Sequence, residues 1–464
     1  MKRSILTALL FISSLTIYSQ NIEGSWHGVL KAHNLELRIV FNIEKRDTSY
    51  FATMDSPDQG AIGIPVQTVS FQNTVLKIAI PKASIEYSGL HIGERIIGTF
   101  HQSGQSIPMN LSKKASDGPK RPQNPVKPYS YYSEDVKFRN AKGSITLAGT
   151  LSLPSKDGVY PVVILISGSG PQNRDEELMG HKPFLVLADH LTKNGIGVFR
   201  FDDRGVGESG GIFSLATTLD FASDVEAAVD YLKNRREIDI KKIGLVGHSE
   251  GGIIAPLVAN DRKDVAFIVL LAGTGIKGSE IVLAQQELMA KAMGVNDDDI
   301  ERYKKLNRDL FQTLDKEEKN PELKFILSNM INTASGGVAS LEDVKLQIEQ
   351  LTSPWMMFFL KYDPRIALRE VKCPLLAING DKDLQVPSKV NLKAISDSFN
   401  KVEDTGNSKV TKTNNDVTTI ELEGLNHLFQ EAVTGMPSEY ATIEQTFSPK
   451  ALVVITDWIL KRVR

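Results

Sequence analysis

The run Lys242-Ile243-Gly244-Leu245-Val246-Gly247-His248-Ser249-Glu250-Gly251-Gly252, continued by Ile253-Ile254-Ala255-Pro256-Leu257-Val258-Ala259, decides how the rest of the 464-residue chain is read. A short apolar stretch predicts a strand, Gly-x-Ser-x-Gly a tight turn, and the apolar residues behind it a helix. A turn this sharp strains the backbone and brings strand and helix close together, so a Cβ at Gly247 or Gly251 would obstruct it. The Ser249 hydroxyl is thereby exposed at the strand's carboxyl end, where a nucleophile belongs. The motif alone is weak, because Gly207-Glu208-Ser209-Gly210-Gly211 fits it too. Ser209, however, sits in a polar glycine-rich run with no helix directly behind it, and reads as loop.

Bulk properties exclude several classes. A hydrophobic fraction of 41% and a charged fraction of 24% are those of an ordinary globular protein, and the length allows two or three domains. The formal net charge of -2 gives no electrostatic case for nucleic acid or an anionic membrane surface as partner. The single cysteine, Cys373, rules out an intramolecular disulfide and a Cys-rich metal site. At the N-terminus, Lys2 and Arg3 precede an apolar run from Ile5 to Ile17 and then Tyr18-Ser19-Gln20. This resembles a secretory signal peptide over residues 1–20, with a retained anchor helix as the alternative. The expectation is export to the periplasm or medium, cleavage near Ser19 or Gln20, and no stable membrane insertion afterwards.

Residues 21–112 carry β patterning throughout. Leu35, Leu37, Ile39, Phe41 and Ile43 alternate with polar neighbours, as do Leu76, Ile78 and Ile80, and glycines punctuate the runs. A small antiparallel barrel or curved sheet is expected. Its His27, His33, His91 and His101 lack metal-ligand spacing, and Asp58-Gln59-Gly60 reads as a turn. Residues 113–133, with Pro119, Pro122, Pro125 and Pro128, read as a linker. From 134 to 464 apolar strands alternate with amphipathic helices, the pattern of a mostly parallel, doubly covered sheet. That alternation is interrupted over about 277–369, a stretch rich in Leu, Lys, Glu and Gln that reads as inserted helices. The polar tract Lys401 to Asp416 reads as an exposed loop.

In an open parallel sheet, ligands bind beyond the carboxyl ends of the strands. A serine at such an end needs a base, and the base needs an acceptor to hold its tautomer. Of eight histidines only His427 follows Ser249, and it comes just after the strand ending at Leu422. His427 is therefore the expected general base. The acid is Asp383 or Asp381, beyond the strand ending at Ile378. Asp383 is preferred because Gly380-x-x-Asp sets it past the turn, with Asp381 as the turn cap. Two backbone donors are needed for an oxyanion: the N–H of Glu250, and one from the loop after Ile166, for which Ser169 is favoured over Gly168 or Gly170. In Asp202-Asp203-Arg204, Arg204 is available to a substrate carboxylate, but a structural tie of Asp203 and Arg204 between loops is the stronger reading. The glycines at 168, 170, 205 and 207 lack the spacing of a nucleotide-binding loop. No metal or organic cofactor is implied.

Taken together, Gly247-His248-Ser249-Glu250-Gly251, Asp202-Asp203-Arg204-Gly205-x-Gly207-x-Ser209, Gly380-x-x-Asp383-x-x-Val386-Pro387 and Asn426-His427, in this order, resemble the α/β-hydrolase superfamily over about Asp135 to Arg464. Ser167-Gly168-Ser169-Gly170-Pro171-Gln172-Asn173-Arg174-Asp175 and the β-rich N-terminal domain are similar to exported bacterial hydrolases of the carboxylesterase and serine-aminopeptidase-like group. One departure is Ser167-Gly168 where that family usually has His-Gly. The resemblance implies a Ser249–Asp383–His427 triad and a lid formed by the insertion. It also implies a small-molecule ester substrate with short, medium or aromatic acyl groups; the aromatic and Met residues 355–359, Trp355 and Phe358 foremost, are candidates to line its pocket or else to form the core of the lid. A peptidase of the same fold is the second reading; its acidic subsite would draw on Glu280 or Glu287. A non-catalytic envelope- or carbohydrate-binding protein is the third, opposed by the intact trio.

Overall fold

Among the described residues, ten strands between Gly24 and Ser112 form one antiparallel sheet in the first of two units, residues 1–118 and 119–464. The computed structural model describes residues 22–32, 35–59, 61–102, 105–115, 120–336, 340–403 and 409–464. The proposed signal segment, 1–20, lies outside them, as do His33 and Gly60. Alternation turns Leu37, Ile39, Phe41 and Ile43 inward to meet Leu76, Ile78 and Ile80 around Trp26, Tyr87 and Phe100. The two ends of the sheet are consecutive strands, Ala61–Pro65 and Thr68–Gln72, joined by Val66 and Gln67. Val66 N–H donates to Ala52 O and Gln67 N–H to Ala79 O, so the sheet curls back on itself. Asp58 is buried beneath Arg38, and His91 packs edge-on against Trp26 and Phe71.

The second unit holds eight core strands: β1 (Tyr132–Asn140), β2 (Ile145–Leu153), β3 (Tyr160–Ile166), β4 (Gly197–Phe201), β5 (Ile238–His248), β6 (Val265–Leu271), β7 (Leu375–Gly380) and β8 (Val417–Leu422). They lie in the order β1-β2-β4-β3-β5-β6-β7-β8. The β1–β2 and β2–β4 pairs are antiparallel and the rest parallel. Strands covered on both faces need apolar residues on both, hence the unbroken Val162-Val163-Ile164-Leu165-Ile166 of β3, wholly buried. Helices Thr218–Lys233, Gly251–Asp261 and Ser388–Ser398 pack on one face, and Pro183–Lys193 and Pro449–Val463 on the other. Between β6 and β7 the described residues form six helices, from Gly278–Ala292 to Arg365–Leu368; the ones before Arg365 pack around Leu310, Leu314, Leu327, Ile331, Ile348 and Leu360, whereas Leu368 of the last joins the core of the sheet. Among the described residues no helix is long and apolar enough to cross a membrane.

Two local expectations change. Much of the proline-rich stretch read as a linker over 113–133 is fastened to the second unit. The Arg121 guanidinium donates to the carbonyls of Met179, Ile443 and Ala441 at 2.8 to 3.0 Å, and Gln123 and Asn124 bond to Phe447 and Gly180. Side-chain donors here do what the missing proline N–H groups cannot. The polar tract 401–416 contains strand Lys409–Lys412, paired antiparallel with Asn400–Glu403. Its period-two pattern spans too few residues to stand out in the sequence.

Candidate active site

β5 runs straight into the turn that bears Ser249, which sits at φ 53°. Left-handed backbone at a non-glycine residue is strained, and surrounding structure must hold it there. Here the strand and helix do so: Ser249 N–H donates to Leu271 O at 2.9 Å. A Cβ on Gly247 would run into the Gly251 carbonyl, and one on Gly251 into the Ile166 carbonyl at the end of β3. Ser209, rejected from the sequence, is buried in structure; its Oγ donates to Asp202 O at 2.7 Å and accepts from Ala148 N–H at 2.9 Å.

The loops after β7 and β8 bring an acid and a base together. A Cβ on Gly380 would strike the Leu425 carbonyl, so this glycine lets the two loops close. Beyond it, Asp383 Oδ1 accepts from the N–H groups of Gln385 and Val386, both at 2.8 Å. Its Oδ2 lies 2.8 Å from His427 Nδ1, and both residues are buried. A carboxylate only accepts, so Nδ1 carries the proton and Nε2 is left as an acceptor. Asp381 instead takes the Gly424 N–H at 2.6 Å, a turn cap. Asn426 Oδ1 fixes the His427 turn through Leu428 and Gln430 N–H, at 3.0 and 2.9 Å. Among the described residues no hydrogen bond joins the Ser249 hydroxyl to His427, and Ser249 lines a cavity.

The loop after β3 is braced by two buried carboxyl groups. Gly168 N–H donates to Glu176 Oε1 at 2.8 Å, which removes Gly168 from the set of oxyanion donors. Ser169 and Gly170 both line the cavity, as does Glu250. Ser167 Oγ donates to Asp203 Oδ1 at 2.6 Å, and Gln172 N–H to Asp203 Oδ2 at 2.9 Å. Burial pushes the Asp203 carboxyl up to about 8, against the pull of those two bonds. Arg204 turns away from the cavity and forks onto Asp224 at 2.7 and 2.9 Å, a structural tie.

The cavity measures about 680 Å³ and carries Trp355, Met356, Phe359, Val282 and Met289 beside the amides of Gln285 and Gln350. Phe358 does not line it. On helix Pro354–Lys361 it points elsewhere and stacks on Tyr362 at 5.4 Å, whereas Phe359, ~100° further round the helix, stacks on Trp355 at 5.0 Å inside the cavity. Glu280 and Glu287 do not line it either: Glu280 lies 4.0 Å from Arg365, and Glu287 pairs with Lys291 and Lys304 at 2.7 and 2.5 Å. Among the described residues Glu250 is the one lining residue with an ionisable side chain. Oε1 accepts from Trp355 Nε1 at 2.8 Å and from Thr218 Oγ1 at 2.7 Å. Burial pushes this carboxyl up to about 7, the two bonds opposing. From sequence, Glu250 enters the site through its backbone N–H alone, although a carboxyl inside a glycine-packed turn is itself a signal. Glu176 carried no such signal, because its partners come from β5 and from the loop after β3. No cluster of metal-ligating residues occurs among the described residues.

The family described as serine aminopeptidase, S33 (Hydrolase_4), matches residues 182–405, a span that includes Ser249, the helical insertion and Asp383. The second unit has the α/β-hydrolase fold. Among relatives of the chain, esterase EstD of Thermotoga maritima is 25% identical over 266 residues, 57% of this chain and 55% of its own length. The chain thus spans about half of that relative. An uncharacterised 31.7 kDa protein of Escherichia coli is 22% identical over 71% of this chain and 100% of its own. Esterase Pf2001 of Pyrococcus furiosus is similar at a TM-score of 0.41 and 17% identity, over 75% of this chain and 99% of that one.

Proposed function

We propose that the hydrolase unit cleaves carboxylic esters with short, medium or aromatic acyl groups through a covalent acyl-enzyme. Ser249 Oγ attacks the acyl carbonyl while His427 Nε2 takes its proton, and Asp383 holds the imidazole and stabilises its charged form. The N–H groups of Glu250 and Ser169 receive the tetrahedral oxyanion. His427 then protonates the departing alcohol, and water, deprotonated by the same nitrogen, releases the acid. The observation that carries this reading is the 2.8 Å Asp383–His427 bond beside a serine held at φ 53° on the cavity wall. The apolar side of that cavity suits an acyl chain, and the helical insertion, acting as a lid, excludes water.

The decisive test is a panel of p-nitrophenyl esters from acetate to laurate beside aminoacyl and dipeptidyl p-nitroanilides, with Ser249→Ala as blank. Ester turnover lost in the variant supports the proposal. Anilide turnover with little ester preference moves the assignment to a peptidase, the activity named by the matched family. Silence on both, with Ser249 unlabelled by a fluorophosphonate, refutes catalysis. Export of the chain belongs to the same proposal, and N-terminal sequencing of the protein from its native host checks it.

A further inference from the structure

We propose that Glu176 and His248 form a buried carboxylate–imidazolium pair that positions the three loops of the site relative to one another. The inference adds two positioning residues to the reading above, and their catalytic role rests on it. His248 immediately precedes Ser249. Its Nδ1 lies 2.8 Å from Glu176 Oε1, and its Nε2 lies 2.9 Å from the His427 carbonyl oxygen. A carbonyl only accepts, so Nε2 carries a hydrogen. Glu176 Oε1 already accepts the Gly168 N–H at 2.8 Å, so a carboxyl proton crowded onto that oxygen is disfavoured and Nδ1 donates as well. Both ring nitrogens then carry hydrogens and the ring is a cation.

The remaining surroundings agree. Burial by itself would lower the His248 pKa, but the Glu176 charge and bond, the His427 carbonyl and the more distant Asp383 charge raise it above its ordinary value. The His427 ring is the other titratable group against it, 4.7 Å away at 46°. Glu176 is held at φ 51° while buried, and such strain at a non-glycine residue persists only where surrounding contacts enforce it. The result is one continuous chain of bonds, from Gly168 N–H to Glu176, to His248, to the backbone of His427. It links the loop after β3, which offers the oxyanion donor, to the turn after β5 and the loop after β8. A strained serine, a donor and a base on three separate loops need such a tie, because a misplacement of about 1 Å costs on the order of 100-fold in rate.

The pair is tested first without any variant, by nitrogen NMR of the full chain labelled with [15N]histidine. At pH 7.5 a doubly protonated ring with slowly exchanging N–H groups is expected; neutral rings throughout would overturn the pair. Glu176→Gln and His248→Gln assign the signal, and in each it should vanish. The positioning role is read from p-nitrophenyl acetate turnover, with active sites counted by fluorophosphonate titration. Each variant should lose on the order of 100-fold in kcat per titrated site with KM little changed, and the double variant should be no worse than either single, since one chain is broken in both. A merely structural pair would instead reduce the number of titratable sites and leave kcat per site intact, which would overturn the role. If the wild type hydrolyses no ester, the ester reading falls, while the spectra still decide the pair.

Discussion

Replacing Glu250 by Gln keeps an oxygen for Trp355 Nε1 and Thr218 Oγ1 and removes the charge. The carboxyl titrates near 7 in the folded protein, against an ordinary value of 4.5. Its folded form therefore holds the proton more tightly than the unfolded form. The stability this confers is complete below about pH 4.5 and is lost as pH rises to about 7. At 1.36 kcal/mol per pH unit, ionising Glu250 in place costs about 3 kcal/mol, of which about 1 is already spent at pH 5. Glu250→Gln carries no such cost, so its stability relative to the wild type should rise by about 2 to 3 kcal/mol between pH 5 and pH 8.5. Differential scanning calorimetry at both values measures this, because comparing the two proteins at each pH cancels every other titrating group. Two units make two transitions possible, and the comparison applies to the one lost when the hydrolase unit melts. Equal pH dependence in the two proteins would refute the assignment of a neutral, buried carboxyl next to Ser249.

Other substitutions probe separate parts of the site. Asp383→Asn keeps the shape but presents an amide to His427, favouring the wrong tautomer; ester kcat should fall by ~10⁴ with folding intact by circular dichroism. Gly251→Ala forces a Cβ into the Ile166 carbonyl and should cost more than about 4 kcal/mol in urea unfolding, or yield insoluble protein. Phe359→Ala should shift the ester chain-length optimum to longer acyl groups, and Phe358→Ala should leave it in place, because only the first lines the cavity.

What the sequence made legible follows from how local each feature is. The Ser249 turn could be read because strand, glycines and helix are contiguous, and the order of Ser249, Asp383 and His427 is a property of the chain itself. The parallel sheet was legible because its strands, covered on both faces, are continuous apolar runs. The six-helix insertion showed as a break in that alternation. The inward face of Pro354–Lys361 did not: five large apolar residues in succession, 355–359, carry no amphipathic contrast, so Phe358 and Phe359 are distinguished only by the neighbours they meet. The partnership of Glu176 and His248 joins residues 72 apart, and Trp355 meets Glu250 across 105; no local pattern announces either. The polar tract hid its short hairpin because lysines on both strands mask the alternation.

The bonds made by Arg121, Gln123 and Asn124 have a practical consequence for dissecting the chain. These residues strap the segment 440–447, which leads into the C-terminal helix Pro449–Val463, to the segment around Met179. A shortened protein that starts near Tyr129 loses that strap along with the β unit, and any fall in its activity would have two causes. A version that begins at Lys120 keeps the strap and removes only the sheet, so it alone answers what the N-terminal unit contributes.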